Sequence, residues 1–188
     1  MKLLRKLNMY KNYYLYKPLY KKKYYKNLKK KKIIINYQNK LGEGSNRIVY
    51  YHPKDINKCI KICKNKKKKW NNNCQDFRFF QLNKNNKMIA KYYEIVNTNL
   101  GLGIVFQIIR DYDNKISLTI NQFKKKNINV SEDFKKEFTK EFDQFKYKFF
   151  RKYKLYPIGY DNICVQFLNK DNYIFVVIDD YHDIEPKI

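Results

Sequence analysis

Residues 131–149 constrain the fold most, because phenylalanines recur in this segment at the spacing of one helix face. Ser131 is a favourable N-cap residue, and Glu132 and Asp133 suit the positive end of a helix dipole. Successive phenylalanines are three or four residues apart, and they are Phe134, Phe138, Phe142, Phe145 and Phe149. This spacing predicts a helix with one aromatic face, and such a face is far more commonly part of a packed core than of a cofactor site.

Short apolar or alternating segments predict β-strands on both sides of this helix. The predicted strands are residues 32–40, 47–51, 58–63, 89–97 and 103–109 before it, and residues 162–168 and 173–178 after it. A further helix is predicted over residues 74–82, and a polar break at residues 111–114 separates the early strands from the long helix. This order of elements predicts a two-layer α+β architecture.

Positive charge is concentrated at the N-terminus, within a chain whose formal net charge is +25. Residues 1–36 contain 13 Lys or Arg and no Asp or Glu. Lys, Asn, Tyr, Ile and Phe all have AT-rich codons, so the base composition of the genome accounts for part of this charge. We predict that residues 1–32 form a basic, flexible tail and that residues 33–188 form one domain.

The composition gives no support to several classes of protein. No window of about 18 apolar residues predicts a membrane span, and no apolar segment of about 7 residues follows the basic N-terminus as a secretory signal requires. The four cysteines and two histidines lack the spacing of a zinc site. These features predict free buried thiols and a reducing, cytoplasmic compartment.

Two short patterns suggest contact with phosphate groups. The stretch LGEGSNRIVY contains G-x-G, and the missing Cβ atoms of Gly42 and Gly44 let backbone N–H groups approach an anion closely. The strand KCIKIC has period two, so Cys59, Lys61 and Cys63 share one face. Each pattern alone is weak, whereas their joint order and spacing are much less common.

The order of elements and motifs resembles that of the protein-kinase fold. Gly42, Gly44 and Val49 match the glycine-loop pattern G-x-G-x-x-G-x-V, and Arg47 replaces the third glycine. The resemblance implies that the two glycines approach nucleotide phosphates and that Val49 covers the purine.

The strand after this loop resembles the kinase motif A-I-K, with Lys61 at the lysine position. The resemblance implies that Lys61 binds the phosphates and that the small side chain of Cys59 lies above the adenine. Asp76, in QDFRFF, is the best candidate for the helix acid that pairs with this lysine. Aspartate is shorter than the usual glutamate, so a long or missing pair is also compatible with the sequence.

The kinase catalytic loop H-R-D-L-x-x-x-N has an aspartate five residues before its asparagine. Asn162 matches that asparagine, but Pro157 stands at the aspartate position and can neither act as a base nor orient a hydroxyl. Asp179, which ends the apolar strand VVID, matches the aspartate of D-F-G. The resemblance implies that Asn162 and Asp179 bind Mg²⁺, and Pro157 argues against efficient transfer unless Asp161 or Asp180 substitutes.

The resemblance extends to one family, that of the PhoP regulatory network protein YrbL. The segment LGEGSNRIVYYHPKDINKCIKI is similar to the family in its L-G-x-G-x-x-R, H-P-x-D and K-C-I-K-I patterns, as are TNLGLGIV and RDYDNKISLT. The similarity covers about residues 38–183. It implies a minimal protein-kinase-like fold, with an antiparallel sheet and one helix in an N-lobe at about 33–110 and a truncated helical C-lobe at about 115–188.

Three functions are compatible with these features. The first is a kinase-like nucleotide- and Mg²⁺-binding regulatory protein, a pseudokinase with ATP as its ligand. The second is an active phosphotransferase acting on a small molecule or on a sugar of a surface glycolipid. The third is a basic nucleic-acid-binding protein that uses residues 1–32 and the lysines at 66–69. Lys and Tyr interleave within residues 1–32 in a way that suits stacking and phosphate contact. A structural pseudokinase that binds no nucleotide is the remaining alternative.

Overall fold

The computed structural model describes residues 32–64, 85–126, 131–153 and 159–179. These residues form two sheets and two α-helices, which confirms the predicted α+β class. The strands are β1 (Lys32–Ile33), β2 (Lys40–Glu43), β3 (Arg47–His52), β4 (Asp55–Cys63), β5 (Tyr92–Thr98), β6 (Gly101–Gln107), β7 (Leu118–Thr119), β8 (Ile163–Phe167) and β9 (Tyr173–Val177). The helices are α1 (Ile120–Lys125) and α2 (Glu132–Tyr153), with short 3-10 helices at Tyr37–Asn39 and Tyr160–Asn162.

The first sheet has six strands in the order β1-β5-β6-β4-β3-β2. Its strands pair antiparallel except β1, which pairs in parallel with β5. The prediction of one strand over residues 32–40 is wrong, because β1 ends at Ile33 and β2 begins at Lys40. Asn36 accepts a hydrogen bond from Gln38 N (2.9 Å) and starts a 3-10 helix there. Such local side-chain bonds compete with the strand ladder, and apolar patterning does not reveal them.

The central strand β4 shows the alternation that its sequence predicts. Cys59 belongs to the larger of the buried clusters, whereas Ile60 and Ile62 belong to a second cluster on the opposite face. Because both faces are covered, every residue from Cys59 to Cys63 is buried, including Lys61. A charged side chain thus lies inside the fold at the position that the sequence singled out.

The second sheet, in the order β7-β8-β9, carries helix α2 on its surface. The ring of Phe175 in β9 lies 5.5 Å from that of Phe138 and 5.2 Å from that of Phe142, measured between centroids. The Ser131 hydroxyl accepts a hydrogen bond from Phe134 N (3.2 Å), as expected of an N-cap. The predicted helix, its cap and its core-facing aromatic stripe are confirmed.

Side-chain and backbone hydrogen bonds join the two sheets. Asp111 Oδ1 accepts from Phe167 N (2.9 Å) and from the Ser117 hydroxyl (2.6 Å), which anchors the segment between the sheets to the end of β8. Ala90 N donates to Val177 O (2.9 Å) just before β5. The end of β9 therefore lies against the first sheet, and this contact positions the residues that follow it.

Other predictions have mixed outcomes or lie beyond the described residues. Cys59, Cys63 and Cys164 are buried, and the prediction of free buried thiols is confirmed for Cys59 and Cys164. The predicted helix over 74–82 and the tail, apart from Lys32, lie outside the described residues. Within the described ranges, neither helix has the length and apolar character that crossing a membrane requires.

Candidate functional site

The G-x-G pattern spans the end of β2 and the hairpin turn that leads to β3, with Gly42 in the strand and Gly44 in the turn. Gly44 N donates to Arg47 O (2.9 Å) and closes the turn, and Lys64 N donates to Asn46 O (2.9 Å) and ties it to the end of β4. Among the described atoms, a Cβ at Gly42 would meet nothing within 4 Å, and one at Gly44 would lie 4.0 Å from Arg47 O. Packing within the described residues therefore does not itself demand glycine at these two positions.

Two buried cations from neighbouring strands meet one carboxylate. Arg47 Nη2 lies 3.0 Å from Asp179 Oδ1, and Lys61 Nζ lies 3.3 Å from Asp179 Oδ2. Arg47 is 4% exposed and Lys61 is 5% exposed, whereas the Asp179 side chain is 27% exposed. Removing a charge from water costs several kcal/mol, so an opposite charge is needed to keep such groups buried. We call these three residues the cation–carboxylate cluster.

Lys61 is held by more than its ion pair. Its ammonium group donates to Ile178 O and lies 4.6 Å from the centroid of the Phe106 ring, within range of a cation–π interaction. In the sheet, Lys61 pairs with Val49 of β3 on one side and with Ile104 of β6 on the other. The first sheet therefore fixes the stem of this lysine, while the end of the second sheet fixes its charged group.

The two predicted Mg²⁺ ligands lie near each other, at the start of β8 and just beyond the end of β9 in the second sheet. Asn162 directly precedes β8 and Asp179 comes shortly after β9, and the two strands are antiparallel. Ile178 N donates to Asn162 O (2.8 Å), which sets the residue before Asp179 beside Asn162. Asn162 N in turn donates to Gly159 O (2.8 Å) and closes the short helical turn that leads into β8.

A divalent cation finds suitable donor types here but an obstructed carboxylate. Mg²⁺ binds oxygen ligands at about 2.0–2.1 Å and typically uses one or two carboxylates together with waters and phosphates. Both oxygens of Asp179 already face cations, so an ion on either one would be brought close to Arg47 or Lys61. The described ranges hold no cluster of three or more His, Cys, Asp or Glu suited to a metal. In this arrangement the cluster does not fit Mg²⁺ unless a cation moves.

The predicted adenine contacts share the sheet face that carries Lys61. Val49 lies opposite Lys61 and packs against the buried cluster that contains Cys59. Burial raises the pKa of Cys59 to about 11, so its thiol stays neutral and acts as a small apolar group. Asp76 and Pro157 lie outside the described residues, as does almost all of the basic tail, and their predicted roles stay predictions.

Arg47 is the member of the cation–carboxylate cluster to which sequence reasoning gave no partner, since it was interpreted only as a replacement for a glycine. Val49 and Tyr51 pack against the larger core, and Arg47 continues their period-two series at the start of β3. A cation in register with two inward-facing residues requires a buried acid. That alternation was the available signal, although it does not say which acid is used.

The fold and site together define a small α+β protein with two sheets and a buried cation–carboxylate cluster where they meet. The chain belongs to the PhoP regulatory network protein YrbL family, whose profile matches residues 33–185, and this confirms the resemblance noted in the sequence. Two curated relatives are both described as "Uncharacterized protein YrbL", one from Escherichia coli (strain K12) and one from Shigella flexneri. Each is 29% identical over 96 residues, covering 48% of this chain and 46% of the relative. The chain thus matches about half the length of these relatives.

Proposed function

We propose that this chain is a nucleotide-binding regulatory protein with a kinase-like arrangement, in which Lys61 contacts the phosphates. The observation that carries the proposal is the meeting of Lys61, from the first sheet, with Asp179, from the end of the second, at 3.3 Å. In the kinase-like arrangement that the resemblance implies, a strand lysine and the aspartate after an apolar strand serve the same phosphate groups.

The surroundings of Lys61 suit the two parts of a nucleotide. A base needs apolar surface, and phosphates need cations and backbone N–H groups. Val49 and Cys59 supply apolar atoms on the face that carries Lys61, and the β2–β3 hairpin with Gly42 and Gly44 is the next element along the sheet. These features support ATP as the ligand. The family resemblance adds Mg²⁺ at Asn162 and Asp179, which requires Arg47 or Lys61 to move away from Asp179.

The proposed role is binding rather than efficient phosphoryl transfer. Pro157 occupies the position where the kinase pattern has its aspartate, and proline cannot accept a proton. The alternative, a phosphotransferase acting on a small molecule or a surface-glycolipid sugar, is favoured by Asp161, an exposed carboxylate beside Asn162. Such chemistry depends mainly on positioning and charge. Slow formation of ADP from ATP would support this alternative if Asp161→Asn abolishes it without weakening ATP binding.

Thermal unfolding with ATP, with and without Mg²⁺, tests the proposed binding. A ligand that binds only the native state at 100 times its Kd stabilises that state by about 2.7 kcal/mol. We expect ATP to raise Tm above the value in a salt solution of equal ionic strength. If ATP raises Tm no more than salt does in both conditions, nucleotide binding is wrong.

Two lysines of the same strand provide a matched pair of variants. Lys61→Met keeps the length of the side chain but removes the charge that the proposal requires, so the ATP-dependent rise in Tm should disappear. Lys58→Met removes a partly exposed charge that pairs with Asp55 at 2.8 Å, away from the cluster, so the rise should remain. Equal ATP-dependent shifts in both variants would show that Lys61 does not hold the phosphates.

A further inference from the structure

We propose that Arg47 takes the place of a metal ion at this site, so that this chain binds nucleotide phosphates without needing Mg²⁺. The inference rests on the proposed nucleotide-binding function and goes beyond it. It contradicts the simplest reading of the kinase resemblance, in which Asn162 and Asp179 hold the ion, and it follows from the way the Asp179 carboxylate is engaged.

The Asp179 carboxylate is shared between two cations, one on each oxygen. Arg47 Nη2 contacts Oδ1 at 3.0 Å and Lys61 Nζ contacts Oδ2 at 3.3 Å. A divalent ion has to displace at least one of them, because like charges at such separations repel strongly in a partly buried site. The guanidinium carries a permanent charge and cannot be neutralised by losing a proton, so it competes with the ion at every physiological pH.

The backbone holds Arg47 at the start of β3, beside the glycine turn, and its side chain meets the Asp179 carboxylate there. The Arg47 carbonyl accepts a hydrogen bond from Gly44 N (2.9 Å), and Arg47 pairs with Cys63 in the β3–β4 ladder. These bonds fix the Arg47 backbone at the end of the tight turn, while the ion pair with Asp179 holds its side chain. The turn that would cover the phosphates is the same turn that delivers this cation.

The chemistry of arginine suits the role that a metal ion has in other nucleotide sites. A guanidinium binds phosphate oxygens through two parallel N–H groups, and such charge-assisted bonds are about twice as strong as neutral ones. The kinase arrangement has its lysine in addition to the metal ion, so Arg47 supplies one positive charge beside that of Lys61. Asp179 then orients the two cations instead of ligating a metal, which makes it a positioning residue in this chain.

The test compares ATP affinity by calorimetry in EDTA and in excess Mg²⁺, for wild type and for Arg47→Gln. We expect wild type to bind ATP with similar affinity in both buffers. In EDTA, Arg47→Gln should bind ATP about tenfold more weakly than wild type, as expected for the loss of one charge-assisted bond. Mg²⁺ should restore most of this affinity, because Asp179 no longer pairs with Arg47 and can bind the ion. Arg110→Gln is the matched control, since its guanidinium donates to Ile56 O (2.9 Å) and Asn114 O (2.7 Å), away from the cluster.

Each outcome decides between the two proposals. Wild type that binds ATP only with Mg²⁺, or Arg47→Gln that binds in EDTA as tightly as wild type, overturns the role of Arg47 and leaves nucleotide binding intact. No ATP binding by wild type in either buffer overturns the proposed function itself. If Arg47→Gln does not fold, Arg47→Lys serves instead, because it retains the charge but loses the two-pronged geometry. In EDTA, Arg47→Lys should lose less ATP affinity than Lys61→Met loses. An ATP affinity equal to that of wild type contradicts the inference.

Discussion

The aromatic core beneath α2 and the cation–carboxylate cluster are both buried, but for different physical reasons. In the core, Phe175 lies among rings 5.2–5.6 Å away, and burial of apolar surface is favourable for each ring separately. In the cluster, Arg47 and Lys61 lose hydration, and the Asp179 carboxylate that they share offsets part of this cost. The core therefore accounts for stability, whereas the cluster is costly to keep and is better explained by a function.

Truncating the centre of the aromatic core should have the largest effect on stability. Phe175→Ala removes a ring that contacts Phe138, Phe142 and Phe145, and we expect a loss of about 3–5 kcal/mol in the free energy of unfolding. Chemical denaturation measures this loss. Tyr147→Ala, on the exposed side of α2, is the control and should change stability by less than about 0.5 kcal/mol. Similar losses in the two variants would contradict the placement of the core.

Removing the shared acid tests whether the cluster depends on all of its members. Asp179→Asn leaves two buried cations without their carboxylate. We expect the free energy of unfolding to fall by about 2–4 kcal/mol, somewhat less than for a fully buried pair, because Asp179 is partly exposed. In an Arg47→Met background the same change should cost at least about 1 kcal/mol less, since one of the cations is gone. Equal costs in both backgrounds would mean that Arg47 and Asp179 do not interact.

The start of α1 offers a smaller effect from local structure. The Thr119 side chain accepts from Gln122 N (3.2 Å), and Gln122 Oε1 accepts from Thr119 N (2.9 Å), which is a complete capping box. Thr119→Ala should destabilise the protein by about 1 kcal/mol in denaturant unfolding. Thr139→Ala, at an exposed position inside α2, lacks this role and should be neutral or slightly stabilising. A destabilising Thr139→Ala of the same size would argue against the cap.

The smallest effect concerns the glycine hairpin and depends on pH. Hydrogen bonds from Lys40 and Lys64 lower the pKa of Glu43 from 4.5 to about 2. Because the native pKa is below the unfolded one, the stabilisation is fully present above about pH 4.5 and is lost as the pH falls towards 2. The difference in Tm between wild type and Glu43→Gln should therefore shrink over that interval. A difference that is constant from pH 6 to pH 2.5 would show that these pairs do not form.

Sequence periodicity predicted the parts of the fold that neighbouring residues determine. The Phe stripe of α2, the Ser131 cap and the alternation around Lys61 all depend on residues within a few positions of one another. The boundaries were less predictable, because side-chain bonds such as that of Asn36 interrupt an apolar segment without changing its pattern. The capping box of Thr119 and Gln122 was missed although the two residues are only three positions apart, because no helix was predicted after the polar break at residues 111–114.

The sequence by itself determined the α+β class, the family and the residue types available for a phosphate site. Only the tertiary structure decided that Arg47 and Lys61 meet Asp179, which lies more than one hundred residues further along the chain. The physical reason is that burial of a charge creates a demand for a partner but does not identify it, and the packing of one sheet against the other selects the partner. Whether that carboxylate serves a metal ion or an arginine therefore depends on the packing of the two sheets.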